Sequence, residues 1–343
     1  MIKTVIVGGG VSGAYCAYLL AKRGLPPVIF DPSHPREKPC GGLVSLLCLD
    51  LFPFLKKLPI KHNERDKIYV ISPKGKKVCI NFRNKRVFIF SRLEFDRHLL
   101  NMAIEKGAEF INKKVTSIER KNNLWEIKTN LQTYLAKTII GADGVNSLVR
   151  EKILGPLDSR NKGLCFGYLV RGLEKEEITI RFSPYRNGYL WIIPRSEHTN
   201  LGIGCSEIKN SYGIKKELDH FIIDNLPKIE IISKWAAQTP NIKNIQIFNS
   251  SLSGKNWILI GDAAGHTSPL SGEGILYSLL DGELAAQAIE MKKPHIFDKL
   301  WKETYGRSLF VDIIIGKIVA KKSIRELYCQ SLKLEKVVHF FRV

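Results

Sequence analysis

The feature that most constrains the fold is a glycine-rich segment that directly follows the first predicted β-strand. Residues 2–7, IKTVIV, are typical of a buried parallel strand, and residues 8–13 read GGGVSG, which fits the pattern G-x-G-x-x-G. Gly8 allows a tight turn, Gly10 lets the backbone approach a pyrophosphate, and Gly13 permits close packing of a helix on the strand. This segment therefore predicts a dinucleotide-binding βαβ unit.

Two further residues support that prediction. The helix predicted over residues 13–23 begins beside Ser12, and its N-terminus offers unpaired N–H groups and a positive dipole end to phosphates. Asp31 ends the next short strand, 18 residues after Gly13, where a carboxylate accepts hydrogen bonds from ribose hydroxyls and would repel a 2′-phosphate. We expect these residues to bind a dinucleotide, although this segment alone does not distinguish NAD from FAD.

Composition narrows the classes of protein that remain. With 44% hydrophobic and 25% charged residues in a chain of 343, the composition is that of a globular protein of two or three packed units. Lys and Arg outnumber Asp and Glu by 53 to 33, and the net charge of +20 fits polyanionic or phosphorylated partners and fits a role in solubility equally well. The positive charges are dispersed and lack the interleaved aromatic residues of a nucleic-acid groove, so we expect no nucleic-acid partner.

The cysteines and the apolar segments indicate the compartment. Seven cysteines, an odd number without a C-x-x-C pair, argue against a disulfide framework and against a zinc site, so we expect no metal. No signal peptide is recognisable, and no apolar run reaches the roughly 20 residues that a membrane-spanning helix needs. We expect a cytoplasmic protein and leave open an association with the membrane surface.

Later segments resemble motifs of flavoproteins. GDAAG at 261–265, with SGEGI at 271–275, resembles the second FAD fingerprint of the glutathione-reductase-type flavoproteins, in which the Asp holds the ribityl chain. GADG at 141–144 resembles the DG motif of flavin hydroxylases, relatives of para-hydroxybenzoate hydroxylase. RLEFD at 92–96 resembles an R-x-x-F-D segment that contacts the cofactor from a helix start. In this order the motifs indicate FAD.

Among FAD-dependent oxidoreductases, the chain resembles the geranylgeranyl reductase family over roughly residues 1–290. KPCGG at 38–42 resembles the C-G-G segment of that family. The block from Asp262 to Ala286 is similar to its pattern D-A-A-G-x-x-x-P-x-x-G-E-G-I. His266 and Ser268 depart from the residues expected there, which indicates a modified environment at the edge of the flavin.

A short aromatic strand carries the resemblance into the second half of the chain. YLWIIP at 189–194 resembles the family motif Y-x-W-x-F-P, with Ile193 in place of its phenylalanine. As a strand of period two, it places Tyr189 and Trp191 on one face, as flat apolar walls suited to an isoprenoid chain. The alternative, that these rings are ordinary core, is less favoured once the other motifs are considered.

The motifs and the resemblance together imply a set of site residues. FAD contacts are expected at Gly8, Gly10, Ser12, Gly13, Asp31, Cys40, Gly41, Gly42, Arg92, Val115, Asp143, Gly144, Gly261, Asp262, Gly265, Gly272, Gly274 and Ile275. Substrate contacts are expected at Tyr189, Trp191 and Pro194, and the expected catalytic residue is Cys40.

Two interpretations of Cys40 remain open. It packs against the flavin as a small, soft side chain, which is the interpretation we favour, or it delivers a proton to the reacting alkene. His266 is a rival proton source, although a structural histidine is the simpler interpretation. Glu273 is either a capping carboxylate or a polar group near the flavin.

The predicted fold is α/β, with a Rossmann-type FAD-binding domain, an antiparallel-sheet substrate domain and a helical C-terminal region. The predicted bounds are 1–65, 91–160 and 250–293 for the FAD-binding domain, 66–90 and 161–249 for the substrate domain, and 294–343 for the C-terminal region. Within the substrate domain, short strands separated by turns predict hairpins, and residues 214–237 are predicted to be helical.

The resemblance implies an FAD-dependent reductase that saturates C=C double bonds of a prenyl chain on a lipid or a prenyl diphosphate. The alternative is a monooxygenase or halogenase of the same fold, since halogenases carry a similar W-x-W-x-I-P segment. An electron donor, NAD(P)H or a ferredoxin-like protein, is also implied. The basic, apolar segment over 332–342 fits a peripheral membrane contact or an ordinary docking helix.

Overall fold

The computed structural model describes residues 1–173, 177–206 and 211–332. The strands are β1 (Ile2–Val7), β2 (Val28–Phe30), β3 (Leu43–Val44), β4 (His62–Arg65), β5 (Lys67–Ile71), β6 (Lys77–Asn81), β7 (Val87–Phe90), β8 (Glu109–Ile111), β9 (Val115–Lys121), β10 (Leu124–Thr129), β11 (Thr133–Gly141), β12 (Lys162–Arg171), β13 (Ile178–Phe182), β14 (Gly188–Pro194), β15 (Thr199–Cys205), β16 (Glu230–Pro240), β17 (Ser253–Gly254) and β18 (Trp257–Leu259). The helices are α1 (Val11–Lys22), α2 (Leu46–Leu51), α3 (Arg92–Glu105), α4 (Leu148–Leu154), α5 (Ser211–Asn225), α6 (Ile275–Glu290), α7 (Phe297–Trp301), α8 (Arg307–Val319) and α9 (Lys322–Ser331).

The chain forms two compact units, each assembled from separate stretches of sequence. The first comprises Met1–Arg36, Leu93–Asn161 and Pro240–Ile313, and the second comprises Glu37–Arg92, Lys162–Thr239 and the residues from Ile314 onward. Residues 37–65, expected in the FAD-binding domain, group with the second unit, where β3 and β4 pair with β7. The assignment of cofactor and substrate to separate domains remains a prediction.

The first unit is built on the Rossmann-type sheet that the sequence predicts. Its strand order is β17-β18-β11-β1-β2-β8, and the strands from β18 to β8 are parallel. β9 and β10 extend this sheet in antiparallel pairing from β11. The central strands are buried on both faces, which explains why β1 reads as a continuous β-branched run.

The register of the parallel strands positions the glycine-rich segments. Val7 pairs with Phe30 on one side and with Gly141 on the other, and Gly141 pairs in turn with Leu259. The last residues of these strands are therefore level with one another. Because the strands are parallel, the segments after β1, β11 and β18 leave the sheet at the same edge. Ligands of open α/β sheets bind beyond this edge, at the carboxyl ends of the strands.

The second unit contains a seven-stranded sheet of order β16-β12-β15-β14-β13-β5-β6 and a three-stranded sheet of order β3-β7-β4. Antiparallel pairs join β12, β15, β14 and β13, whereas β13 and β5 are parallel. Helix α5 packs on one face through Ile214 and Leu218, and Cys329 of α9 packs on the other. The predicted antiparallel sheet and the helical character of the described C-terminal residues are confirmed.

The prediction of one helix over residues 214–237 is wrong in its second half. Helix α5 ends at Asn225, and β16 occupies Glu230–Pro240 at the edge of the seven-stranded sheet. Pro227 explains the break, since the residue before a proline is disfavoured in the helical conformation. The Ile231–Ile232 pair and Trp235 then favour a strand.

Among the described residues, no helix combines the length and apolar character needed to cross a bilayer. The basic, apolar segment for which a membrane contact was considered falls, from residue 333 onward, outside the described residues.

Candidate functional site

Three glycine-rich turns meet at the carboxyl edge of the first unit's sheet. Gly8 has φ +103°, and a Cβ built on it would lie 2.2 Å from the carbonyl oxygen of Ala142. A Cβ on Gly13 would lie 2.0 Å from the carbonyl oxygen of Gly8, and one on Gly261 would lie 2.7 Å from Ser12 Oγ. Each approach is too close for a side chain, so these glycines are required where the turns touch. The structure thus brings three sequence motifs to one place.

The N-terminus of α1 has the form of a phosphate cradle. Gly10 is the N-cap of this 12-residue helix, and a Cβ built on Gly10 would meet nothing within 4 Å. Helix α6 crosses α1 closely at Gly282, where a Cβ would lie 3.0 Å from the carbonyl oxygen of Ser12. Open space in front of unpaired helix amides suits a pyrophosphate, so the residues present fit a dinucleotide.

Asp31 lies at the end of β2, beside this cradle. Its Oδ2 accepts the Gly9 N–H at 2.9 Å, and its Oδ1 accepts the Ser33 N–H at 2.8 Å and the Ser33 hydroxyl at 2.6 Å. Burial opposes ionisation of this carboxyl, but the hydrogen bonds from Ser33 and Gly9 outweigh it and lower the pKa of Asp31. The carboxylate is therefore ionised and fixed in the place expected for an acceptor of ribose hydroxyls.

Asp143 accepts the first amides of helix α4, whose N-cap is Ser147. Its carboxylate accepts the Ser147 hydroxyl, the Leu148 N–H at 2.7 Å and the Val149 N–H at 3.2 Å. Burial raises the pKa of Asp143 above its ordinary value, although these hydrogen bonds act in the opposite direction. Gly144 follows with φ +84°, and a Cβ built on it would meet nothing within 4 Å. Asp143 thus stabilises the N-terminus of α4, and the contact of Asp143 with a cofactor remains a prediction.

The second glycine turn, residues 261–265, lies next to the start of α6. Asp262 Oδ1 accepts the Thr267 hydroxyl at 3.0 Å and lies 3.9 Å from where a Cβ of Gly274 would be. Gly274 is the N-cap of this 16-residue helix, and Ile275 is its first residue. The residue predicted to hold the ribityl chain and the helix start predicted to contact FAD are therefore neighbours.

Arg150 was missed by the sequence analysis. This buried guanidinium, on α4, donates from Nη1 to the carbonyl oxygen of Ala263 at 3.1 Å and so supports the second glycine turn. Burial lowers the pKa of Arg150. The sequence clue to Arg150 was its position seven residues after Asp143. The capped helix α4 begins between the two residues and fixes where Arg150 points.

The C-G-G segment forms a tight loop in the second unit. Gly42 has φ +79°, and a Cβ on it would lie 2.0 Å from the carbonyl oxygen of Phe90. Gly41 has no room for a Cβ either, because Ile193 Cδ1 would lie 2.3 Å from it. The Gly42 N–H approaches Cys40 Sγ at 3.4 Å. Cys40 is partly buried, which is compatible with either interpretation of its role.

Arg195 holds this loop and was not identified from the sequence. Its guanidinium is buried and pairs with Glu37 Oε1 at 2.6 Å, while it donates to the carbonyl oxygens of Cys40 at 2.5 Å and of Gly41 at 3.3 Å. Burial, and then the charge of Arg195, lower the pKa of His198, whose Nε2 lies 3.3 Å from Arg195 Nη1. The available signal was that Arg195 directly follows the aromatic motif.

Arg92, the first residue of α3, adjoins the same acidic side chain. The Arg92 N–H donates to Glu37 Oε1 at 3.3 Å, and the Ser91 hydroxyl donates to Glu37 Oε2 at 2.9 Å. The Arg92 side chain is buried. Glu37 therefore links the start of α3 to the loop that Arg195 holds. Val115, the remaining expected FAD contact, begins β9 in the first unit and is buried.

Tyr189 and Trp191 lie on one face of the seven-stranded sheet, as predicted, and Trp235 of β16 joins them. Trp191 pairs with Gly202, and a Cβ there would lie 2.4 Å from Trp191 Cζ2. Trp235 covers Gly167 in the same way, with Cζ2 2.3 Å from the position of a Cβ. The two indoles are stacked with centroids 5.9 Å apart, and Tyr189 lies 5.9 Å from Trp191. We call these three rings the aromatic wall.

Hydrogen bonds and backbone pairing fix the aromatic wall. Trp191 Nε1 donates to Asn200 Oδ1 at 2.6 Å, and both residues are buried. Pro194 ends β14 opposite Thr199, and its carbonyl oxygen accepts from Asn63 Nδ2 at 3.2 Å. Burial raises the pKa of Tyr189, so its hydroxyl stays neutral. The wall is thus a rigid, uncharged surface.

His266 is completely buried in the first unit, where Nδ1 lies 2.9 Å from Asp281 Oδ2. Its contacts are those of a structural histidine. Across the described ranges, no group of three His, Cys, Asp or Glu side chains is arranged to hold a metal ion.

The Rossmann-type sheet, the converging glycine turns and the sheet of the second unit together have the architecture of an FAD-dependent oxidoreductase. A family model described as an NAD(P)-binding Rossmann-like domain matches residues 6–41. The chain is 27% identical to a digeranylgeranylglycerophospholipid reductase of Methanocaldococcus jannaschii, over 94% of this chain and 88% of that protein. It is 29% identical to a geranylgeranyl diphosphate reductase of Rhodobacter capsulatus, over 82% of this chain and 73% of the relative.

Solved structures share the fold. A geranylgeranyl bacteriochlorophyll reductase-like protein from Thermoplasma acidophilum superposes with a TM-score of 0.83 at 22% identity, over 97% of this chain and 92% of that one. A flavin-dependent brominase reaches a TM-score of 0.72 at 18% identity, over 97% and 93%. The predicted resemblance to geranylgeranyl reductases, the enzyme class and FAD as the cofactor are confirmed.

Proposed function

We propose that this protein reduces C=C double bonds of a geranylgeranyl-type chain carried by a prenyl lipid or a prenyl diphosphate. The observation that carries the proposal is the aromatic wall, three adjacent rings on one face of the seven-stranded sheet, of which Trp191 is buried and Tyr189 and Trp235 are partly buried. The names of the two reductases that match most of the chain support the same substrate class.

The aromatic wall suits an isoprenoid chain for physical reasons. Aromatic side chains give a large contact area at a low cost in conformational entropy, and methyl-branched chains pack well on flat rings. Trp191 and Trp235 lie flat because glycines occupy the positions beneath them, Gly202 and Gly167. A polar or charged substrate would find no charged partner in the three rings, so specificity here depends on shape and apolar area.

The chemistry divides between the cofactor and the chain. When bound and reduced, FAD would supply the hydride equivalent for reduction of the double bond. The chain must bind the alkene, exclude water and provide for a proton at the other carbon. Cys40 Sγ is one candidate for the proton donor, beside its favoured role as a flavin contact, and Arg195 keeps the Cys40–Gly42 loop in place through two carbonyl oxygens. The net charge of +20 favours a substrate with a phosphate head group.

An anaerobic product analysis tests the proposal. Protein reduced with dithionite is incubated with geranylgeranyl diphosphate or with a digeranylgeranylglycerol phospholipid, and the product is examined by mass spectrometry. We expect a gain of two hydrogen atoms for each double bond reduced. Unchanged prenyl substrates in this assay, together with oxygen consumption in a separate aerobic assay that depends on an added halide or aromatic compound, would support the monooxygenase or halogenase alternative instead.

Variants of the aromatic wall make the test specific. Trp235→Ala removes one ring from the wall, and we expect a higher KM for the prenyl substrate with FAD content unchanged. The matched control is Tyr185→Ala, which removes an aromatic ring that is 80% exposed in the same unit. Equal kinetic effects of the two variants would show that the wall does not bind the chain.

A further inference from the structure

A buried cluster of three polar side chains lies beside the second glycine turn. We call His266, Asp281 and Tyr305 the buried cluster; the first two have no exposed surface and Tyr305 is 4% exposed. His266 Nδ1 lies 2.9 Å from Asp281 Oδ2, and Tyr305 Oη lies 2.7 Å from His266 Nδ1 and also hydrogen-bonds Asp281 Oδ1. Neither Asp281 nor Tyr305 has a role in the predicted cofactor or substrate contacts.

The buried cluster reaches the second glycine turn through one backbone amide. The Gly261 N–H donates to Asp281 Oδ2 at 2.6 Å in a fully buried setting. Gly261 has φ +61° and lies against Ser12, so the turn has little freedom to shift toward another acceptor. Gly261 is bonded directly to Asp262, the residue expected to hold the ribityl chain. The position of the Asp262 carboxylate therefore depends on what holds the Gly261 amide.

The protons in the cluster can be assigned from the acceptors. The Asp281 carboxylate accepts from the Gly261 N–H, the Tyr305 hydroxyl and His266 Nδ1–H, and three donors are what a buried carboxylate needs in place of water. Burial, together with the charge of Asp281, raises the pKa of Tyr305 well above 10, so its hydroxyl remains a donor. His266 and Tyr305 thus orient Asp281.

Aromatic rings hold the cluster from the other side. The Trp301 ring centroid lies 4.6 Å from that of His266, and Phe248 lies 5.5 Å away. Tyr305 belongs to a π-helical turn over Lys302–Gly306, a local irregularity that is frequent at functional sites. The cluster therefore has one arrangement, fixed by α6, the π-helical turn and the packed rings.

We propose that Asp281, oriented by His266 and Tyr305, is a positioning residue for FAD that fixes the Gly261 amide and through it the Asp262 carboxylate. The effect falls on the flavin half of the cofactor, because the adenosine half is assigned to Asp31 and the turn over residues 8–13. The inference depends on FAD being the cofactor and is independent of the prenyl substrate, which the experiment does not use.

The test compares two ligands on the full-length protein stripped of FAD. Calorimetric titration with FAD and with ADP is carried out on the parent and on Asp281→Asn, which keeps the shape of the side chain but removes its charge and one acceptor. We expect the Kd for FAD to rise by at least about tenfold, the scale of one hydrogen bond to a charged group, and the Kd for ADP to change by less than about twofold. A general loss of structure would weaken both ligands.

Two tyrosine variants complete the test. Tyr305→Phe leaves the Gly261–Asp281 bond in place and removes one donor, so we expect a rise of about threefold in the Kd for FAD. Tyr277→Phe is the matched control: the ring lies 5.2 Å from that of Tyr305, and its hydroxyl bonds Asp312 at 3.4 Å. We expect Tyr277→Phe to leave the Kd for FAD unchanged.

If Asp281→Asn does not fold, Tyr305→Phe decides the matter alone. FAD binding within twofold of the parent in the folded variants overturns the proposal. So does a parallel loss of ADP binding, or an equal effect of Tyr277→Phe. An altered visible circular dichroism of the bound flavin in Asp281→Asn, with ADP binding retained, supports it.

Discussion

Removal of the Arg195 guanidinium is the sharpest test of how the Cys40–Gly42 loop is held. Arg195→Met keeps much of the apolar stem and deletes one ion pair, with Glu37, and two hydrogen bonds, to the carbonyl oxygens of Cys40 and Gly41. Arg195→Lys keeps the charge but not the planar fork of donors that serves all three acceptors.

The magnitude follows from the burial of the partners. Breaking a buried ion pair costs about 3–5 kcal/mol, and the Glu37 side chain is 25% exposed, so the lower end of that range applies. The two carbonyl oxygens add about 1 kcal/mol each where water does not replace the guanidinium. We expect Arg195→Met to lower the free energy of unfolding by about 3–5 kcal/mol and Arg195→Lys by about half as much.

The assay combines urea unfolding with the reactivity of Cys40 toward a thiol reagent, measured in a background in which the exposed Cys79 is replaced by serine. We expect the Cys40 thiol to react faster in Arg195→Met, because the loop loses its main support. Arg160→Met is the control, since its ion pair with Asp158 is exposed and should not contribute measurably. Unchanged stability and unchanged Cys40 reactivity in Arg195→Met would refute the reasoning.

Three further predictions follow from the site. Gly202→Ala should displace the Trp191 ring, lower stability by about 1–3 kcal/mol and raise the KM for a prenyl substrate; normal kinetics would contradict the assignment of the wall. Hydrogen bonds from Ser33 and Gly9 outweigh burial and hold the pKa of Asp31 below its ordinary value. The ionised side chain therefore stabilises the fold above about pH 4, and this contribution is lost as the pH falls through the lowered pKa. Asp31→Asn should accordingly flatten the acid limb of a curve of unfolding free energy against pH. Cys40→Ser should slow prenyl reduction under single-turnover conditions at saturating substrate if the thiol donates the proton, and an unchanged rate would leave Cys40 with only a contact role.

The cofactor half of the site could be predicted from sequence because its requirements are local. Gly8, Gly13 and Gly261 each sit where a Cβ would collide with neighbouring atoms, so the residue type itself records the geometry. The spacing of such glycines after a β-branched strand indicates the turn, the helix start and the ligand together. Asp31 was predictable for the same reason, because β2 ends directly before it and places it beside the turn over residues 8–13.

The supports of the site were not predictable in the same way. Arg195 and Glu37 are 158 residues apart, and Asp281 and Gly261 are 20 apart in different elements. The sequence around each residue does not indicate its partner. An arginine after a strand, or an aspartate within a helix, is more often exposed to solvent. His266 is the opposite case. Its position beside the second glycine turn made it a candidate proton source, but it is completely buried among aromatic rings.

Trp235 shows why the substrate side of such a protein is harder to derive than the cofactor side. Its strand was predicted as helix, and its place in the wall depends on β16 pairing with β12 and on a glycine, Gly167, in that neighbouring strand. The wall is therefore specified by pairs of positions, an indole on one strand and a glycine on another, and neither member is informative alone. Relatives that keep the glycine turns but replace Gly167 or Gly202 must reorient the indoles. We therefore expect substrate differences among proteins of this fold to be encoded in these pairs while the residues that bind FAD stay the same.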